Sequence, residues 1–345
     1  MRYFNLLFRS FSGLLLAILI LLSFPAFAQG DLFDSDEIID VKMQFSVKDI
    51  RKDTNDSTFV DEIIWLKDSE GNWEEIPVEL RVRGNFRLTN CYYPPLRMKI
   101  KKKNREGTIF EENKSLKVVF PCSRAKNADS YVAKEFMAYQ IFEEVSEYTF
   151  QTRMMRITFI NEDDRKQEEI ELLGFLLEDD DDVADRFDGE ILEGKKILGS
   201  LMEPLPSVRH DYFQMLIGNT DFSSLFRHNS KILLLPEERL IPLAYDFDMT
   251  GLVNPPYAQV SNLVDIEKVT DRLYRGFCRE RDVFDEVRTE FLEKEGRIME
   301  IASDYESYLS PAEYRETSRF LGDFFDILRN DKAFENQIVS ACRSY

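Results

Sequence analysis

From Ile38 to about Phe120, apolar and polar residues alternate in short runs: "DVKMQFSV", "EIIWLKD", "EIPVELRVRG", "PLRMKIKKK" and "KSLKVVF". A period of two is the mark of half-buried strands, and turn-forming residues at Asp68 to Asn72 separate two of the runs. This pattern predicts five or six short strands in a twisted antiparallel sheet. The period then lengthens. Val132, Phe136, Tyr139 and Val145, with Met137 and Ile141 beside them, predict one helix from about Ser130 to Ser146. Two more strands follow, "RMMRITFI" and "IELLGFLLE", joined by the charged turn Asn161 to Glu168.

After the acidic run "EDDDD" the chain turns mostly helical. Leu205, Val208, Tyr212, Phe213, Leu216 and Ile217 mark a buried helix that stops at Gly218, a favourable C-terminal cap. Ser230 to Leu235 and Leu240 to Tyr245 then read as a hairpin with a four-residue turn, Pro236 to Arg239. Helices are predicted over Asp282 to Ser303 and Pro311 to Ala341, the second opened by a capping box, Ser310 to Glu313, with proline at its first position. The fold class is α+β. A β-rich part with one helix spans residues 29–178, and a helical part, 179–345, contains the hairpin 229–246; a hinge is expected near Glu178.

Composition adds the compartment. Arg2 and Arg9, an apolar stretch from Gly13 to Phe24, and Ala26-Phe27-Ala28 form a signal peptide over residues 1–28. The stretch falls short of the roughly 20 apolar residues of a spanning helix, so a periplasmic or secreted protein is expected, without stable membrane insertion after cleavage. The formal charge is −19, and cleavage makes it two units more negative. Such a surface repels nucleic acid, which is not expected as a partner. Cys91, Cys122, Cys278 and Cys342 show no C-x-x-C spacing, so disulfides are favoured over zinc. Of the three possible pairings, 91 with 122 and 278 with 342 is preferred.

The chemistry gathers at the hairpin's open end. A four-residue turn sets Leu235 opposite Leu240 and therefore Asn229 opposite Asp246, with Asp248 on the same face as Asp246. Amide and carboxylate oxygens suit Mg²⁺ or Mn²⁺ sharing its shell with phosphate and water. Asp221, in the loop after Gly218, is placed to orient or deprotonate a hydroxyl. His228 fits a structural role, orienting that loop by hydrogen bonding. Asp and Asn at a hairpin base also serve simply as turn and cap residues, but an acid following a buried strand in "LAYDFDMTG" is costly unless compensated. Arg209-His210-Asp211 falls within the helical period and is assigned to a helix surface. Asp179 to Asp182 lacks EF-hand spacing and reads as a solvated turn. No H-E-x-x-H or G-x-S-x-G element is present, which leaves a hydrolase built on the same acids as a lesser alternative.

"ELRVRGNFR", "PPLRMKIKKK", "KSLKVVF", "YVAKEFMAYQIF", "LLGFLLED", "GNTD", "HNSKILLL" and "IPLAYDFD" follow one another in an order that resembles the CotH-like (spore-coat protein H) atypical secreted protein kinases, over most of residues 78–250. "NCYYPPL", "NTDFS" and "DFDMTGLVNPPYA" look like an exported bacterial branch of that group. The resemblance implies a kinase-like bilobal fold, with an antiparallel-sheet N-terminal lobe and a mainly helical C-terminal lobe. It also implies transfer of the ATP γ-phosphate to Ser or Thr of an exported protein substrate. Asp221 would be the catalytic aspartate, and Asn229 and Asp246 metal ligands. Lys99, Lys117 and Arg83 would contact phosphate, Lys99 being favoured for its apolar-flanked strand. Glu135 would pair with such a lysine. Asp-Phe-Asp replaces the kinase Asp-Phe-Gly, and no G-x-G-x-x-G loop appears, so a catalytically inactive exported binding or scaffold protein is the alternative.

Overall fold

A computed structural model of the chain describes residues 31–194, 196–260 and 264–344. The signal peptide expected over residues 1–28 lies outside the described residues. Seven strands form a closed barrel: β1 (Ile39–Phe45), β2 (Val60–Lys67), β3 (Trp73–Val82), β4 (Leu96–Lys99), β5 (Ser115–Val119), β6 (Thr152–Asn161) and β7 (Glu169–Glu178). Their order around the barrel is β1-β2-β3-β4-β5-β7-β6. All neighbours are antiparallel except β1 and β6, which run parallel from Ile39↔Met155 to Phe45↔Asn161 and close the ring. Three short helices decorate the barrel: α1 (Val47–Asp53), α2 (Phe86–Asn90) and α3 (Lys102–Arg105).

This closure corrects the expected kinase-like bilobal fold with its antiparallel-sheet N-terminal lobe. The runs read as strands do form strands, but alternation reports which face a residue occupies and not which strand lies beside it. The two strands after the long helix, α4 (Ala128–Val145), return to the same sheet and seal it. Phe45, Tyr93, Phe120 and Phe159 fill the interior, with the Phe45 and Phe159 ring centroids 4.9 Å apart. Each such buried ring contributes about 1.5–3 kcal/mol through area removed from water.

A second core lies outside the barrel. Strand β7 is its wall: Leu172 and Leu176 face the barrel interior, whereas Leu173, Phe175 and Leu177 face the helices. Burial on both sides explains the uninterrupted apolar run "LLGFLL". Gly174 is required within it, because a Cβ there would approach the Ile157 side chain to 2.5 Å and the Val119 carbonyl to 2.7 Å. Helix α4 packs on this wall through Phe136 and Tyr139, and on α6 through Phe142. The remaining helices are α5 (Asp180–Arg186), α6 (Pro204–Leu216), α7 (Arg281–Asp304), α8 (Pro311–Arg329) and the short α9 (Asp331–Phe334), which runs on into a π-helical turn, Glu335–Val339. The capping box at Ser310 and Glu313 forms in full; the helix expected up to Ala341 is broken at Asn330, which caps a second helical stretch running to Val339. Gly218 follows α6 with φ +63°, the left-handed cap expected there.

The smaller sheet has the order β10-β9-β8, from β8 (Glu190–Ile191), β9 (Ser230–Leu235) and β10 (Arg239–Ala244). Its hairpin lies against α6 in the helical core. Because α4 shares that core, the 178/179 boundary separates two stretches of sequence rather than two cores. Cys91–Cys122 and Cys278–Cys342 are disulfides. Among the described residues no helix is long and apolar enough to cross a membrane.

Candidate functional site

The hairpin turn is shorter than its sequence suggests. Pro236–Glu238 forms a tight turn with Glu237 and Glu238 at φ +65° and +61°, and the ladder runs from Arg239↔Leu235 to Ala244↔Ser230. Leu240 therefore faces Leu234, one step from the expected register, and Asn229 does not pair with Asp246. The two residues meet in another way. Both strands leave the ladder at the open end through left-handed residues, Asn229 at φ +46° and Asp246 at +63°. Both then line one pocket of about 450 Å³. Asn and Asp tolerate this conformation better than most residues.

The loop from α6 to β9 folds back on itself. Ser223 and His228 exchange backbone hydrogen bonds of 2.8 and 3.1 Å, and this small bridge returns Asn229 to Asp221. The Asn229 amide donates to the Asp221 carbonyl at 2.8 Å and approaches its carboxylate at 3.4 Å. His228 Nε2 lies 3.2 Å from Asp221 Oδ2, and this hydrogen bond raises the imidazole pKa against partial burial. Asp221, His228 and Asn229 thus form one cluster. With its nitrogen committed to Asp221, Asn229 keeps its oxygen as the donor for a cation.

Asp246 is fixed by its own backbone N–H, which donates to the buried Tyr139 hydroxyl at 3.1 Å. Asp248 lies behind it and is buried. Tyr257 donates to Asp248 Oδ2 at 3.3 Å, and Arg87 Nε lies 3.8 Å from the same oxygen. Burial first, then the neighbouring Asp246 carboxylate, pushes the Asp248 carboxyl up to about 7. Two carboxyl groups in hydrogen-bond contact, one favouring its proton, form the kind of oxygen pair that a hard cation satisfies. Among the described residues no three His, Cys, Asp or Glu side chains form a metal cluster by themselves.

The wall facing Asp246 is basic. Arg83 donates to the Tyr245 hydroxyl at 2.9 Å and to the Leu96 carbonyl at 3.2 Å. Lys117, on β5, is buried with its ammonium 4.7 Å from the Phe150 ring centroid and 5.0 Å from that of Tyr245. It donates to Asp180 Oδ1 at 2.6 Å and to the Glu178 carbonyl at 3.2 Å. Arg97 and Lys231 complete the wall.

Lys99 does not join this group. It is two residues beyond Arg97 on the same strand face, roughly 6–7 Å farther along, and sits exposed over the Phe59 ring. Arg97 is the base of "LRMKI" that lines the pocket. Glu135, on α4, does not pair with a lysine either; its carboxylate lies 3.5 Å from Nη1 of Arg87 on α2. Burial pushes the Glu135 carboxyl up to about 8 despite Arg87. Arg209-His210-Asp211 is helical as expected, but His210 and Asp211 are buried and hydrogen-bonded to each other at 3.0 Å, not surface residues. Sequence reasoning also missed Arg87, Lys231, Tyr245 and Tyr257. Only Lys231 carried a signal, being on the Asn229 strand two positions along. Comparison with protein-family models and with curated proteins finds no match to this chain.

Proposed function

We propose that this chain is an exported, metal-dependent phosphotransferase that moves the γ-phosphate of ATP to Ser or Thr of an exported protein, the activity its resemblance to the CotH-like kinases implies. The reading rests on the site and not on the fold, since a site can be carried by unrelated architectures. One observation carries it: a pocket in which Arg83, Arg97, Lys117 and Lys231 face Asp246 and Asn229, with Asp221 hydrogen-bonded to Asn229 beside them. Four bases suit a polyphosphate. Mg²⁺ or Mn²⁺ commonly takes only one or two carboxylates plus phosphate oxygens, so Asn229, Asp246 and Asp248 suffice as protein donors.

A bound cation would neutralise phosphate charge. Asp221 would accept the acceptor hydroxyl's proton as the new O–P bond forms and the bond to the β-phosphate oxygen breaks. Arg83 and Lys117 hold the phosphates. Incubation of the purified chain with labelled ATP and Mn²⁺, followed by mass spectrometry, tests this: transfer is expected in the wild type and lost in Asp221→Ala. Equal transfer in both removes the proposal.

The Asp221 carboxylate already engages His228 and Asn229, which favours one second reading, an exported binding protein that keeps the anion pocket without transfer. Nucleotide binding with no labelled product would select it.

A further inference from the structure

The acidic run after β7 is not a solvated turn. Glu178 pairs with Arg186 at 2.8 Å, and Asp179 caps α5 and pairs with Arg97. Asp180 does more. Its Oδ1 accepts from Lys117 at 2.6 Å, and its Oδ2 lies 2.9 Å from Lys231 Nζ. Lys117 belongs to the barrel and Lys231 to the hairpin, so this one carboxylate joins the two sheets beside the pocket that both lysines line. The two ammonium groups also share one ring: they lie 5.0 and 5.8 Å from the Tyr245 centroid. The Tyr245 hydroxyl in turn accepts from Arg83.

We propose that Asp180 is the positioning residue of the phosphate pocket, holding Lys117 and Lys231 as one pair so that the barrel and the hairpin grip the same polyphosphate. The inference rests on the nucleotide reading of the pocket. Glu135, the acid expected to pair with a phosphate-facing lysine, is occupied by Arg87. Burial lowers the Lys117 pKa by disfavouring its charged form, and Asp180 offsets part of that penalty. Against the upward push of burial, the two lysines hold the Asp180 carboxyl well below the usual carboxylate range. A carboxylate acting only as a nearby negative charge would weaken anion binding, whereas one that orders two bases strengthens it. The two roles differ in sign.

The test is calorimetric titration of the full-length mature chain with inorganic triphosphate and with ATP plus Mn²⁺. Wild type is expected to bind both. Asp180→Asn is expected to weaken both by about tenfold or more, the scale of a lost charge-assisted hydrogen bond, while Asp180→Glu restores most of the affinity. Asp181→Asn, at an exposed neighbour, leaves it unchanged. Unaltered or tighter binding in Asp180→Asn overturns the inference while leaving the nucleotide reading intact; no binding by wild type removes both. Should Asp180→Asn fail to fold, Lys117→Gln, Lys231→Gln and the double variant decide: losses of triphosphate affinity that are less than additive are expected, and additive losses overturn the pairing.

Discussion

The Asn229 side-chain amide donates to the backbone carbonyl of Asp221 at 2.8 Å, tying together two residues eight positions apart in the sequence. That bond closes the loop beside the pocket while Asn229 itself sits at φ +46°. Replacing it by glycine relieves the small left-handed strain that Asn still bears and loses a hydrogen bond worth about 1 kcal/mol. Asn229→Gly is therefore expected to melt close to wild type in calorimetry yet lose phosphate transfer. A stable variant with full transfer would remove Asn229 from the site.

The hairpin turn carries strain away from the pocket. Glu237 and Glu238 are both left-handed and exposed, far along the strands from Asp246. Glu238→Gly is expected to stabilise the chain by about 0.5–1 kcal/mol, because glycine enters this region without steric cost. Denaturant midpoints measure it, and nucleotide affinity should not change.

Stability should fall with pH through Glu135. Burial raises its folded pKa to about 8 from an ordinary value of 4.5, so the folded state binds more protons over that interval. Its contribution is then complete below the ordinary value and is lost as pH climbs through 8. Glu135→Gln, which cannot ionise, is expected to gain stability relative to wild type between pH 5 and 8.5. A difference that stays constant with pH would contradict this.

The two disulfides should separate stability from binding. Cys91 closes α2, which carries Arg87, and Tyr92 N–H donates to the Cys122 carbonyl at 2.7 Å. Loop closure over 31 residues gives about 3–4 kcal/mol in the chain-entropy account, and the 64-residue loop of Cys278–Cys342 gives slightly more. Replacing both cysteines of either pair by serine is expected to lower the melting temperature. Only the Cys91/Cys122 variant should also weaken triphosphate binding, because only that bridge anchors the Arg83–Arg87 segment.

Local structure was legible in the residues and long-range pairing was not. Alternation located β1 to β7, helical spacing located α4 and α6, and Ser310 with Glu313 announced α8. Barrel closure rests on Ile39 meeting Met155, a contact no local pattern encodes. The hairpin register turned on two left-handed glutamates that no turn rule favours. At the site, Asp221 was picked out in the loop after the helix-ending Gly218, and Asn229 and Asp246 as oxygen-bearing residues flanking the two hairpin strands. Arg87 and Asp180 were missed because each looks like an ordinary charge in a charged stretch until the fold brings its partners to it.

The most direct test of the account is the thermal shift of the mature chain on adding ATP with Mn²⁺, in wild type and in Lys117→Gln. Wild type should be stabilised by about 2.7 kcal/mol at 100 times the dissociation constant, with the shift sharply reduced in the variant. No shift in wild type, or an equal shift in both, would contradict the assignment of this pocket to a nucleotide.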